Sequence, residues 1–286
     1  MGILKGFFKF IGWIIKFSIQ VFIILFFILI FIEVISDEKI SSKANLVELN
    51  LNGAIIDDSE FLRQIYQAKD DSEIKGVLLR IDSPGGALAP SFEISQAIKE
   101  LNDKKPVIAY ASGTMASGSY LSGVWASKIY ANKGSFIGSI GVIMQGANLS
   151  ELTAKIGIKE QIVKAGEFKE AGTMMREWTS DEKQSLQALV DKSYELFTSE
   201  VAKARKLDLS TQKSWANARV FLADDAKKLG LIDDIKTYQE AIDLTAKTAG
   251  VANPAWKKAD KLDKFINSFS TKVANLVLSE LFVKVR

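Results

Sequence analysis

Two stretches of small residues carry the chemistry that this sequence offers. Residues 113 to 123 read GTMASGSYLSG, with Ser117 between Ala116 and Gly118, and residues 82 to 86 read DSPGG, with Gly85 and Gly86 in succession. A Ser at a strand-to-helix turn exposes its Oγ for attack, and the N–H of the next residue can receive an oxyanion. Consecutive glycines allow positive φ and close backbone approach, so a peptide N–H can be aimed at a substrate oxygen. Taken alone, each stretch also has an ordinary reading. Ser117 suits a helix N-cap, the commoner role for a Ser in that position, and Pro84-Gly85-Gly86 suits a plain turn.

Composition narrows the choice. The 286 residues include no His and no Cys. A Ser-His-Asp triad, a Cys nucleophile, a disulfide and a thiolate or imidazole metal site are therefore all excluded. Any general base must be Lys, Asp, Glu or Tyr. With 37 basic against 34 acidic residues, the chain lacks the basic excess of a nucleic-acid binder. Phosphate binding is not indicated, because neither Gly-rich stretch has Walker or G-x-G-x-x-G spacing. The G-x-S-x-G pattern fails as well, since Met115 occupies the first Gly position.

The elements around these stretches alternate. Leu46 to Ile56 reads as a strand with a turn at Asn52-Gly53, Asp58 to Lys69 as a helix, and Gly76 to Ile81 as a strand ending in a hard turn at Asp82 to Gly86. Pro90 to Leu101 is helical, and Pro106 to Ala111 is a strand that leads to Ser117. This spacing predicts an α/β domain of βα units with a largely parallel sheet. Both Gly-rich stretches then fall beyond strand carboxyl ends, where such sheets bind ligands. Further strands are expected at Lys128 to Ala131, Ile140 to Met144 and Glu160 to Lys164. Helices are expected at Leu149 to Ile156, Ser180 to Arg205 (capped by Thr179 or Ser180), Leu222 to Leu229 and Tyr238 to Thr248.

The N-terminus reads as a membrane anchor. Between Phe7 and Ile32 only Lys9, Lys16, Ser18 and Gln20 are polar apart from Gly12, and Val21 to Ile32 is wholly apolar. About 20 such residues span a bilayer. Lys5, Lys9 and Lys16 precede the span and Glu33, Asp37 and Glu38 follow it, which places the N-terminus in the cytoplasm and the remainder across the membrane. A cleaved signal peptide fits less well, because the apolar run is long and its best cleavage site, Ser42-Lys43-Ala44, lies far beyond it. The expected organisation is a stub and anchor over 1–36, a linker over 37–45, the main domain over 46–250 and a helical tail over 251–286. The tail has apolar residues at helical intervals, among them Phe265, Ile266, Phe269 and Val273.

In order along the chain, Asp82-Ser83-Pro84-Gly85-Gly86, Met115-Ala116-Ser117-Gly118, Gly138-Ser139-Ile140-Gly141-Val142 and Ala165-Gly166-Glu167-Phe168-Lys169 resemble the motifs of the signal peptide peptidase A (protease IV) family. The segment Arg219 to Asp234 is similar to that family's ending, and the likeness covers Leu46 to Ile235. The resemblance implies a Clp/crotonase-like fold and a membrane-anchored Ser-Lys peptidase. By position, Ser117 would be the nucleophile, Lys169 the general base and Ser139 the hydroxyl orienting the Lys169 amine. The backbone N–H of Gly118 with one of Gly85 or Gly86 would form the oxyanion hole. No cofactor is implied.

Locally, Lys164 competes with Lys169, and the resemblance decides between them. A Lys base must be neutral to accept a proton, which calls for an enclosed site and an alkaline activity optimum. The family further implies apolar peptide substrates, such as cleaved signal peptides and misfolded exported proteins, and homo-oligomers that can share active sites between subunits. Three positions depart from the family pattern: Ser119 replaces a usual Gly, Ser127 a common Asp and Ile137 a common Thr. Two other readings stand beside this one, a crotonase-like acyl-CoA enzyme and a catalytically inactive membrane scaffold of the same fold.

Overall fold

The structure is a computed structural model that describes residues 44–257 and four isolated positions, Phe17, Gln20, Val21 and Ile24, all helical. The chain divides into two compact units, one of Met1–Asn45 with Ala255–Arg286 and the other of Leu46–Pro254. In the first unit, the Asn45 N–H donates to the Ala255 carbonyl and the Ala255 N–H donates to Asn45 Oδ1, each at 2.8 Å. Most of the expected anchor, linker and tail lies outside the described residues. Among the described residues, no helix is long and apolar enough to cross a membrane.

The second unit is built on a seven-stranded sheet. β1 (Leu46–Ile55), β2 (Gly76–Gly86), β3 (Val107–Ala116), β4 (Lys128–Ala131) and β7 (Asp234–Ile235) lie side by side in that order, all parallel. The crossovers are α1 (Ser59–Asp70) and α2 (Leu88–Lys104). Val77, Leu78, Leu79 and Ile81 of β2 and Val107 to Ala111 of β3 are all buried. Continuous apolar runs of this kind suit parallel strands covered on both faces. This much agrees with the α/β reading of the sequence.

The sheet forks along β3. Ile108 to Ala111 pair with β4, whereas Thr114 to Ala116 pair with β5 (Phe136–Gly138). β5 in turn pairs antiparallel with β6 (Val220–Leu222). Neither three-residue strand has enough length to show a period-2 pattern in sequence.

Both expected turns in this region are strand instead. Asn52-Gly53 lies inside β1 at a register shift, with Gly53 at φ 70°, and Asp82 to Gly86 continues β2. Between Asn52 and Ala54 of β1, the segment Asp82 to Gly85 of β2 takes up one extra residue. The Gly and Pro residues that signalled turns here accommodate bulges. Ile140 to Met144 and Glu160 to Lys164, expected as strands, join no ladder among the described residues. Ile140 is buried, but Ile143 is 78% exposed and Val163 fully exposed, so beyond Ile140 the runs lack the covered faces that make a short apolar run a buried strand.

The remaining helices are α3 (Gly118–Gly123), α4 (Ser150–Lys155), α5 (Ser180–Arg205), α6 (Gln212–Trp215), α7 (Ala223–Lys228) and α8 (Tyr238–Thr248). α5 and α8 have the bounds expected, and each starts in a capping box, Thr179 with Glu182 and Thr237 with Glu240. Glu182 is also gripped by Arg176 through both carboxylate oxygens, at 2.7 and 2.8 Å. The Arg176 guanidinium, aided by the Thr179 N–H, holds the Glu182 carboxyl down at about 2. A carboxylate depressed on folding stabilises the native state above its ordinary range, and that contribution is lost as pH falls toward the folded value. Thermal melts of wild type and Glu182→Gln should therefore differ above about pH 4.5 and converge as pH approaches about 2.

Candidate active site

β3 delivers the chain to Ser117, which takes φ 53° and ψ −127° before α3 begins. A non-Gly residue held there costs about 1–3 kcal/mol and persists only where its surroundings over-determine it. The Ser117 N–H donates to the Gly138 carbonyl at 2.8 Å, and the Ser117 carbonyl accepts the first helical bond from Leu121 at 3.1 Å. Every residue of α3 is buried, while Ser117 is half-buried. Ser117 occupies the N-cap position, yet its side chain makes no capping bond. The cap reading therefore fails at the atom it requires, and the Oγ remains available.

The first Gly-rich stretch lies against this elbow. A Cβ on Gly85 would stand 2.6 Å from the Gly118 nitrogen and 2.8 Å from Ser117 Cβ, and a Cβ on Gly118 would stand 3.2 Å from the Gly86 nitrogen. Only glycines permit so close an approach. The two glycines of β2 differ in what their N–H groups do. Gly85 is buried, and its N–H donates to Ser83 Oγ at 3.2 Å. Gly86 is exposed, and the Ala87 N–H after it donates to the Ile55 carbonyl on β1 at 2.7 Å. Successive N–H groups along a strand point to opposite sides, so the Gly86 N–H faces β3 and the start of α3.

Ser139 sits one residue beyond the peptide that holds Ser117. It follows Gly138, has φ 47°, is half-buried, and donates its N–H to the Arg219 carbonyl at 2.6 Å. The β5–β6 pairing thus places Ser139 next to the Gly138 carbonyl that receives the Ser117 N–H. Ile137, a departure in sequence, is a buried β5 residue paired with Met115 and Phe221. Ser127, another departure, donates its Oγ–H to Asn102 at 2.5 Å.

Lys169 is different. It lies on a 3-10 turn, Glu167–Glu170, and is exposed. Its amine forms no ion pair among the described residues, and no hydrogen bond joins it to Ser117. The nearest competitor is engaged: Lys164 Nζ pairs with Glu170 at 2.7 Å, and Glu170 also receives Arg176 Nε at 3.2 Å. Arg176 thereby ties the turn bearing Lys169 to the Glu182 cap of α5, a linkage that sequence reading missed because its members are ordinary charged residues. The enclosure expected around a Lys base is not formed by the described residues of one chain. From Gly141 to Asp181 no residue is buried. Among the described residues, no cluster of acidic side chains could hold a metal ion.

A mostly parallel α/β sheet thus brings a central strand to a strained serine with the backbone of two glycines close beside it. The family model described as Peptidase family S49 matches residues 99–252. Three relatives bear names qualified as putative. A protease of Methanocaldococcus jannaschii is 39% identical over 186 residues, covering 65% of this chain and 60% of the relative. A protease of Synechocystis sp. is 34% identical over 214 residues, covering 74% and 77% respectively. A signal peptide peptidase SppA of Enterococcus faecium is 31% identical over 220 residues, covering 72% and 64%. The chain thus spans less than two thirds of the M. jannaschii and E. faecium proteins. It belongs to peptidase family S49, the signal peptide peptidase A family that its ordered motifs resemble.

Proposed function

We propose that this protein is a serine endopeptidase with a Ser-Lys dyad, acting on apolar peptides such as cleaved signal peptides. The observation that carries the reading is the uncommitted Oγ of Ser117, held at a strained elbow beside Gly86 and Gly118. Ser117 Oγ attacks the peptide carbonyl carbon while the neutral Lys169 amine takes its proton. The N–H groups of Gly86 and Gly118 receive the oxyanion; the bond between Gly85 N–H and Ser83 favours Gly86 over Gly85 in this role. Collapse of the tetrahedral intermediate expels the amine, which leaves with the proton from Lys169. The Lys169 amine, neutral again, then activates water to hydrolyse the acyl-enzyme, and Ser139 orients that amine.

A second copy of the chain supplies the missing enclosure. Ile143, Ile158, Val163 and Phe168 are exposed on the stretch that also bears Lys169, and burial against a neighbour would cover them and desolvate the amine. The apolar run before Ile32 anchors the protein in the cytoplasmic membrane with the catalytic unit on the outer face. The test is covalent labelling. A fluorophosphonate adduct is expected on Ser117 of the full-length protein, and labelling that maps elsewhere, or none at all, sinks the proposal in favour of the inactive scaffold.

A further inference from the structure

The geometry points to Ser119 as a positioning residue, one whose hydroxyl locks the oxyanion strand to the nucleophile elbow. Between β2 and β3 the ladder loses its regular register where the site is built. Ile81 pairs with Ala111, but Ser83 pairs with Met115, so β3 takes up two extra residues. Side chains add bonds where the register shifts. Asp82 Oδ1 accepts the Thr114 N–H at 2.9 Å, and the last residue before the nucleophile, Ala116, gives its N–H to Ser119 Oγ at 2.9 Å.

Ser119 is fully buried. Its Oγ also lies 2.7 Å from the Ser83 carbonyl and 2.9 Å from the Ala116 carbonyl. A hydroxyl has one proton to give, and the shorter contact assigns it to Ser83. The hydroxyl then accepts from the strand entering Ser117 and donates to the strand entering Gly85. Ser83 continues the linkage, since its Oγ accepts the Gly85 N–H. One side chain thus reaches both the Ala116 N–H and the Ser83 carbonyl, the main-chain groups that flank the Ser83–Met115 pair, and braces that pair. The departure at position 119 provides a contact that a glycine would lack.

This inference rests on the proposed roles of Ser117, Gly86 and Gly118. Those amides must sit at hydrogen-bond distance from an oxygen that carries charge only in the transition state. Loosening the link between their strands spoils that spacing without touching the groups that bind substrate.

The experiment compares Ser119→Ala with wild type and Ser117→Ala on a peptide reporter, with binding of a peptide aldehyde, which forms an oxyanion on Ser117, as a second readout. For Ser119→Ala, kcat should fall by about 10–100-fold with KM within about twofold, and aldehyde affinity should fall in parallel. Ser119→Cys, with similar shape and a weak donor, should fall between the two; it also serves if Ser119→Ala does not fold. Wild-type kcat in the Ser119 variants, or a change confined to KM, overturns the inference while an inactive Ser117→Ala leaves the reading of the site standing. Turnover retained by Ser117→Ala overturns both.

Discussion

Ser117→Ala is expected to lower turnover of an acyl-peptide reporter by about 10⁴-fold or more and to leave the melting temperature nearly unchanged. The two halves of this expectation have separate physical grounds. Turnover falls because the proposed acyl bond forms on the Ser117 Oγ, so without it only binding and the amides of Gly86 and Gly118 remain to assist water. Stability is spared because the Oγ makes no capping bond and Ala pays the same backbone strain at φ 53° as Ser. A large drop in melting temperature would mean that Ser117 is structural after all. Activity within tenfold of wild type would exclude it as the nucleophile.

Lys169→Met is expected to reduce turnover by about 10³-fold or more, again with little effect on folding, because the side chain is exposed and forms no ion pair among the described residues. Lys164→Met should have the smaller catalytic effect, since that amine is already committed to Glu170. Wild-type activity should rise toward alkaline pH as the base loses its proton, and full activity near about pH 5 would exclude a lysine in this role.

Mixing Ser117→Ala with Lys169→Met then asks where the base comes from. If a neighbouring copy contributes it, random assembly of equal amounts restores about one site in four. If mixing restores nothing, Ser117 and Lys169 pair within one chain, and the exposed 141–181 stretch must close over its own elbow. The mixture therefore bears on the assembly even when each variant alone is inactive.

Some of this could be read along the chain because it depends on neighbours in sequence. The apolar runs of β2 and β3, the helical spacing and capping box of α5, and the small residues around Ser117 are local patterns, and they led to a parallel α/β sheet with Ser117 at the end of a strand. The absence of His and Cys is a property of composition, and it left Lys as a candidate base before any fold was known. Family likeness, carried by four short motifs in order, agreed with the S49 match.

The other determinants depend on register and on contacts between distant residues, which no local pattern encodes. Asp82 to Gly86 has turn composition, and only its pairing with Ala54 and Ile55 keeps it in β2. That pairing turns the Gly86 N–H, and not that of Gly85, toward Ser117. Ser119 reads as one more small residue until the shifted β2–β3 register brings the Ser83 carbonyl to its hydroxyl. The runs at Ile140 to Met144 and Glu160 to Lys164 have strand composition but join no ladder among the described residues, and a strand exists only where another completes its hydrogen bonds. By itself the sequence determined which chemistry was open to this protein and put Ser117 forward as the serine to perform it. Tertiary structure alone decided which amides face that serine, because the direction of an N–H is set by the partner across the sheet.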